Sequence, residues 1–416
     1  MAHNQASQAM FRFRSLVALT ALAIAFVCSA GVSSRSSAGT LHTKTGIDVL
    51  EEQGFAPLRG KRVGLITNQT GVDSRGRRTI DLLAHARDVK LVALFSPEHG
   101  ISGRLDATVA DAPDAATGLP VYSLYGEARR PTSAMLKGID TLVFDIQDAG
   151  VRFYTYVTTM AYCMEEAANH HIPFYVLDRP NPLGGEAIEG PMLDPDRTSF
   201  TGYFPMPVRY AMTLGELARM FNAENKIGAD LHVFTMTNWR RNQAYDQTGL
   251  AWIPPSPNLR TLNAAYLYPG VEILQAGGIS VGRGTDSPFE IVGAPWIQAN
   301  EFAADLNQRR IPGVSFVPAE FTPSEGTYSR QLCRGVRIMI TNRGSLGSVW
   351  MGLEIADALH LMYPERFQLD KIIGLVGSQS TLDRLRRGDA PADIARGWSA
   401  DLDKFRKMRE KYLLYH

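Results

Sequence analysis

Four short polar segments carry most of the residues able to do chemistry, and each follows a short apolar or β-branched run. They are Thr67-Asn68-Gln69-Thr70-Gly71, Ser96-Pro97-Glu98-His99-Gly100, the stretch from Asp145-Ile146-Gln147-Asp148 to Arg152-Phe153-Tyr154, and Asp178-Arg179-Pro180-Asn181-Pro182. Turns favour Asn, Asp, Gly and Pro for backbone reasons alone. Four in succession, each with side chains that titrate or donate, exceed what turn geometry asks for. Glu98, set between Pro97 and His99-Gly100, is placed for partial desolvation, the setting in which a carboxylic acid serves as a general acid. His99 beside it could orient it, or be a core histidine. Asp145 and Asp148 are paired carboxylates three residues apart. They suit glycoside chemistry, which uses two carboxyl groups across the scissile bond, or the capping of a turn.

Arg152, Arg179, Arg209 and Arg283 lie in or beside Gly/Pro-rich stretches, where a guanidinium can take a ligand carboxylate bidentately or form an ordinary salt bridge. Tyr122, Tyr125, Tyr154, Tyr156, Trp252 and Trp296 could offer platforms for a sugar ring or belong to the core. No His-x-x-x-His or Cys-x-x-Cys spacing accompanies the polar segments, so no metal site is expected. The first loop lacks Gly-x-Gly-x-x-Gly, and no Gly-x-x-x-x-Gly-Lys-Ser/Thr follows it. Neither a dinucleotide cofactor nor nucleotide hydrolysis is therefore expected.

The elements that must hold these loops read as an α/β sheet. Short runs at Arg62 to Thr67, Lys90 to Phe95, Thr141 to Ile146, Phe174 to Leu177 and Leu231 to Thr235 are strand-like, several of them apolar throughout, as strands covered on both faces are. Between them Val157, Met160, Met164 and Ala167 recur at helical spacing, and Thr213-Leu214-Gly215-Glu216 matches a capping box. The pattern loosens after Trp239. This places a boundary near residue 245, between a sheet domain of residues 45–245 and a smaller α+β domain of residues 246–416. In the second part strands are expected near Val314 to Val317 and Val336 to Thr341. Helices are expected around Leu346 to Met362 and through Ile394, Trp398, Leu402 and Phe405.

Composition narrows the possibilities. With 43 Lys plus Arg against 42 Asp plus Glu and 45% apolar residues, the chain has no footprint for a phosphate backbone and none of the signature of disorder. Arg12 and Arg14 precede an uncharged apolar run from Leu16 to Val27, then Cys28-Ser29-Ala30. This reads as a secretory signal peptide over residues 1–30, followed by a leader at 31–44, and so as an exported, periplasmic or secreted protein with no stable membrane insertion after cleavage. Lipid modification at Cys28 is the alternative, and Val27 is bulky for that processing. Removing residues 1–30 leaves 41 bases against 42 acids, with Cys163 and Cys333 as the remaining cysteines, either paired or buried as free thiols.

Taken together, Gly64-Leu65-Ile66-Thr67-Asn68-Gln69-Thr70-Gly71, Phe95-Ser96-Pro97-Glu98-His99-Gly100, the Asp145 to Tyr156 segment and Asp178-Arg179-Pro180-Asn181-Pro182 resemble a bacterial family of exo-acting β-N-acetylmuramidases, formerly a domain of unknown function (glycoside hydrolase family 171). Glu189-Gly190-Pro191, Pro255-Ser256-Pro257-Asn258-Leu259, Gly282-Arg283-Gly284-Thr285 and Gly293-Ala294-Pro295-Trp296 extend the likeness over nearly the whole mature chain. The resemblance implies a Rossmann-like, mostly parallel sheet domain, a smaller α+β C-terminal domain and a cleft between them. It also implies release of N-acetylmuramic acid from the non-reducing ends of peptidoglycan fragments. Glu98 becomes the candidate acid, with His99 beside it and Asp145, Asp148 or Glu189 as the second carboxylate. Asn68, Gln147, Arg152, Tyr154, Asp178, Arg179, Asn181, Arg209, Asn258 and Arg283 are the substrate-binding candidates. Two departures stand out. Where many relatives carry Glu-Gly-Thr-Asn this chain has Gln275-Ala276-Gly277-Gly278, and their Arg-His-Gly-Met-Thr is Arg209-Tyr210-Ala211-Met212-Thr213 here. A non-catalytic sugar-binding protein and a metal-dependent hydrolase are the competing readings.

Overall fold

Strands that are apolar on both faces require cover on both, and the fold supplies it. The computed structural model describes residues 42–105 and 110–416. The expected signal peptide and most of the leader lie outside the described residues. Among the described residues twelve strands form three sheets. In chain order they are β1 (Arg62–Thr67), β2 (Lys90–Ser96), β3 (Ala112–Pro113), β4 (Pro120–Ser123), β5 (Thr141–Asp145), β6 (Phe174–Leu177), β7 (Glu189–Met192), β8 (Pro207–Arg209), β9 (Leu231–Phe234), β10 (Ile291–Ala294), β11 (Val314–Phe321) and β12 (Cys333–Ile340). The main sheet has seven strands in the order β3-β4-β2-β1-β5-β6-β9. All its pairings are parallel except that of the edge strand β3 with β4.

The two-residue period of the strands divides their side chains between two cores. Val63, Leu65, Leu94, Val143 and Leu177 enter one cluster with Ile47, Leu50, Ile80 and Leu83 of the helices Gly46–Glu52 and Thr79–Ala84. Ile66, Phe95, Phe144, Phe174 and Val176 enter the other, against the helices Tyr156–Asn169 and Leu214–Glu224. The capping box forms as expected. Thr213 Oγ1 accepts from the Glu216 backbone N–H at 3.2 Å, and the Thr213 N–H donates to Glu216 Oε2 at 3.0 Å.

The C-terminal part holds a three-stranded antiparallel sheet, β10-β12-β11, and the helices Leu262–Ala276 and Ser348–Met362. These two pack closely at a pair of glycines. A Cβ on Gly352 would lie 2.5 Å from Gly270 Cα, and one on Gly270 would run into the Ser348 carbonyl. The Leu262–Ala276 helix lies where the sequence pattern loosens. Pro269 and Gly270 interrupt its propensity, and it is buried nearly all round, so no amphipathic stripe marks it. The helix expected through Ile394 and Phe405 is two, Pro391–Gly397 and Ser399–Glu410, which meet at Trp398 next to the weak helix former Gly397. Trp398 Nε1 donates to Thr381 Oγ1 at 3.1 Å and fixes the corner. Cys163 and Cys333 are buried free thiols. Among the described residues no helix is long and apolar enough to cross a membrane.

Candidate active site

Strand order reverses between β1 and β5, and in open parallel sheets ligands bind beyond the carboxyl ends of the strands at such a point. Here the point is filled by the protein. Asp145, fully buried at the end of β5, takes Arg179 Nε and an Arg179 terminal nitrogen at 2.6 and 2.9 Å, and Thr79 donates to it as well. The same guanidinium reaches the Val72 carbonyl at 2.7 Å, and Thr67 Oγ1 bonds the Asp145 carbonyl at 2.8 Å. A small cavity of about 50 Å³ remains beside Thr70, Gln147 and Arg179.

A larger cavity, about 400 Å³, has none of these residues in its lining. Its sheet-side wall comes from the loops after β2, β4 and β5, which contribute Glu98 and His99, Tyr125 and Arg129, and Phe153, Tyr154 and Thr155. The opposing sequence supplies Ser256, Tyr268, Glu272, Arg283 and Phe289. The cavity is thus shared by the sheet loops and the C-terminal part, as the expected cleft would be. Its aromatic floor is a chain of edge-on contacts, Phe153 to Tyr268 at 5.5 Å and Tyr268 to Phe289 at 4.8 Å between centroids, with Tyr154 against Tyr268 at 6.0 Å. Burial pushes the Tyr154 and Tyr268 hydroxyls well above the ordinary phenol range, and the neighbouring Glu272 charge adds to this for Tyr268. Both remain neutral donors at working pH.

Glu98 is half-buried at the cavity. Thr155 Oγ1 donates to Glu98 Oε2 at 2.6 Å, and the Tyr156 hydroxyl lies 3.3 Å from the Glu98 carbonyl. That hydroxyl donates to the Pro255 carbonyl at 2.6 Å and accepts from Asn68 Nδ2 at 3.1 Å. Asn68 and Tyr156 thereby pin the Pro255-Ser256 segment across the end of the sheet. His99 follows in a left-handed conformation, φ 72°, ahead of Gly100 at 71°. Such strain in a non-glycine residue persists only where the surroundings enforce it. Here His99 Nδ1 bonds the Leu105 carbonyl at 2.6 Å.

The other carboxylates named from the sequence do not border this cavity. Asp145 is held by Arg179. Glu189 takes the Trp350 N–H at 2.9 Å and Arg209 at 3.3 Å, at the start of the Ser348–Met362 helix, and burial holds its pKa above the usual carboxylate value. Asp148 lies buried behind the tyrosines, where Oδ2 accepts from the Gly150 N–H at 2.7 Å and from Tyr210 while Oδ1 has no hydrogen-bond partner. Desolvation raises its pKa to about 6 against the lowering effect of those bonds. Tyr210 is thus a partner of Asp148.

The binding candidates divide the same way. Tyr154 and Arg283 line the cavity. Arg152 is buried with its terminal nitrogens on four carbonyls, those of Pro191, Met206, Leu375 and Val376, at 2.8 to 3.0 Å, and desolvation lowers its pKa to about 9. Asp178 receives Thr213, Tyr415 and the Gly215 N–H, and burial raises its pKa to about 6. Asn181 bonds the Met212 carbonyl and the Leu183 N–H, both at 2.9 Å. Gln147 bonds the carbonyls of Asp148 and Pro180, and Asn258 is buried in the Pro255–Leu259 segment. Of the aromatics considered, Tyr125 and Tyr154 reach the cavity.

Glu272 is the residue that the loop-centred reading missed. It projects from the Leu262–Ala276 helix one turn before Gln275, and Arg283 binds both, with a terminal nitrogen on Glu272 Oε1 at 2.9 Å and Nε on Gln275 Oε1 at 2.8 Å. The available signal was a lone carboxylate inside the apolar run from Ala264 to Leu274, a setting charged residues rarely occupy unpaired. Two carboxyl groups on one aromatic-floored cavity form the apparatus of a glycoside hydrolase.

The comparisons agree. The family description "Exo-beta-N-acetylmuramidase NamZ, N-terminal" matches residues 63–263, and its C-terminal counterpart matches residues 266–415. The chain belongs to this family of glycoside hydrolases. It is 44% identical over 391 residues to the peptidoglycan beta-N-acetylmuramidase NamZ of Bacillus subtilis (strain 168), covering 92% of this chain and 94% of that protein. Crystal structures of two DUF1343 family proteins from Bacteroides fragilis NCTC 9343 share the fold. One has a TM-score of 0.84 at 41% identity and the other 0.74 at 31%, each covering 90% of this chain and 99% of its own.

Proposed function

We propose that this protein is an exported exo-acting hydrolase that releases N-acetylmuramic acid from the non-reducing ends of peptidoglycan fragments. The observation that carries the reading is the cavity bordered by Glu98 and Glu272 in a chain of this family. Glu98 protonates the leaving glycosidic oxygen, oriented by Thr155. Glu272, paired with Arg283, attacks the anomeric carbon or activates the water that does. The floor of Phe153, Tyr154, Tyr268 and Phe289 takes the apolar face of the sugar, and the neutral Tyr268 hydroxyl donates to its oxygens. The leader-like N-terminus supports export, since the polymer lies outside the cytoplasm.

The test is incubation of the purified mature protein with a disaccharide of N-acetylmuramic acid linked to N-acetylglucosamine and with longer fragments, products being read by mass. Stepwise release of the terminal sugar by the native protein, lost in Glu98→Gln, is expected. Tight binding with no product would point instead to a sugar-binding protein.

A further inference from the structure

The arginines in or beside the Gly/Pro-rich stretches are the candidates for taking a ligand carboxylate, and in the structure each of them already has a partner within the chain. Arg152 is occupied by four carbonyls, Arg179 by Asp145, Arg209 by Glu189, and Arg283 by Glu272 and Gln275. A substrate carrying its own carboxylate would therefore meet Glu98 with those guanidiniums already engaged within the chain. Among the described residues that border the cavity one more guanidinium remains, that of Arg129.

We propose that Arg129 binds a carboxylate carried by the sugar in this cavity, and so selects a lactyl-substituted amino sugar over its unsubstituted counterpart. The inference deepens the hydrolase reading above and rests on it for the identity of the sugar. Arg129 and Arg130 are adjacent in the loop after β4 and have different surroundings. Arg130 is a structural residue, paired with Glu165, 3.5 Å from Glu166 and 3.7 Å over the Tyr162 ring. Arg129 forms no ion pair with a described residue, is exposed at the cavity, and lies 4.5 Å over the ring of Phe200. Phe200 itself borders the cavity between Ser199 and Thr201. A guanidinium laid on a ring face keeps its N–H donors at its edges, and the stacking limits the orientations it must give up to bind. That geometry fits a planar carboxylate, taken bidentately, beside the Ser199 and Thr201 hydroxyls, which bond each other at 3.2 Å. The loop reaches the site because β4 is parallel to β2 and delivers its C-terminal end next to Glu98.

The test compares two chromogenic glycosides, one of N-acetylmuramic acid and one in which the lactyl carboxyl is a carboxamide of nearly the same shape. The native protein is expected to favour the acid in kcat/KM by about tenfold to a hundredfold, the range for a charge-assisted hydrogen bond. In Arg129→Gln this acid-to-amide ratio is expected to fall toward one, and in Arg129→Lys, which keeps the charge and loses the fork, to an intermediate value. Calorimetric binding of free N-acetylmuramic acid and its carboxamide reads the same ratio without turnover. An Arg129→Gln protein that keeps the native ratio in both assays would overturn the assignment. An Arg129-dependent preference in binding with no hydrolysis of either glycoside would leave it standing and sink the hydrolase reading.

Discussion

Thr155 occupies the N-cap position of the Tyr156–Asn169 helix, yet its hydroxyl makes no cap bond and instead donates to Glu98 Oε2 at 2.6 Å. A group that would ordinarily stabilise its own helix is turned to hold a carboxyl at the cavity. Glu98→Gln is expected to reduce kcat by at least about a hundredfold, the usual scale for a removed general acid. Thr155→Val is expected to lower kcat/KM by about tenfold with the fold intact, and Thr155→Ser to recover most of that. Equal activity in Thr155→Val and the native protein would show that the contact does not position the acid.

The pair of Asp145 and Arg179 belongs to the sheet. Both groups are buried, and removing one partner strands the other, a change worth about 3 to 5 kcal/mol. Asp145→Ala is expected to lower the melting temperature by many degrees, and whatever fraction folds should keep near-native kcat. Calorimetry together with active-site titration separates the two effects. A variant of native stability and no activity would return Asp145 to the chemistry.

Arg152 makes the same kind of prediction for the joint between the β-sheet half and the C-terminal part. Its four carbonyl partners include Leu375 and Val376, far away in sequence. Arg152→Lys cannot reproduce the fork. Thermal or denaturant unfolding is expected to show it markedly less stable than the native protein, and Arg152→Met less stable still. Unchanged midpoints would refute the structural role.

Asp148 gives a pH dependence with a definite sign. Burial lifts its pKa from 3.8 to about 6, so the folded state holds the proton more tightly than the unfolded chain. Its contribution to stability is fully present below about pH 4 and is lost as pH rises to about 6. Two pKa units correspond to a change on the order of 3 kcal/mol across that window. Asp148→Asn does not titrate, so its stability relative to the native protein is expected to rise between pH 4 and 6.5 in denaturant titrations. A difference that stays flat would mean the carboxyl is not protonated in the fold.

Donor geometry bears on the metal-dependent reading as well. No group of three His, Cys, Asp or Glu side chains among the described residues is arranged to hold an ion, and His99 Nδ1 is engaged with Leu105. Prolonged dialysis against a chelator is expected to leave turnover unchanged, and a loss restored by an added divalent ion would contradict this.

The fold was legible in the sequence wherever local pattern and tertiary demand coincide. Strands buried on both faces must be apolar throughout, and Thr213 and Glu216 cap their helix whatever surrounds it. The Ser96–Gly100 segment likewise put Glu98 just beyond the carboxyl end of a parallel strand, where it borders the cavity. What the sequence did not contain was the allocation of charge. Asp145, Arg152, Arg179 and Arg209 have the residue types of a binding site, and only three-dimensional packing decides whether a guanidinium meets a carbonyl, a carboxylate of its own chain or a ligand. Glu272 was hidden for the opposite reason. It sits in a helix whose proline, glycine and all-round burial erase the periodic signal, and it becomes a cavity residue only when that helix packs against the loops of a sheet far earlier in the chain. Residue type determined which groups could do chemistry here. Tertiary contact determined which of them have a partner already, because a buried charge is paired by whatever lies within a few ångströms, and sequence spacing does not encode that distance.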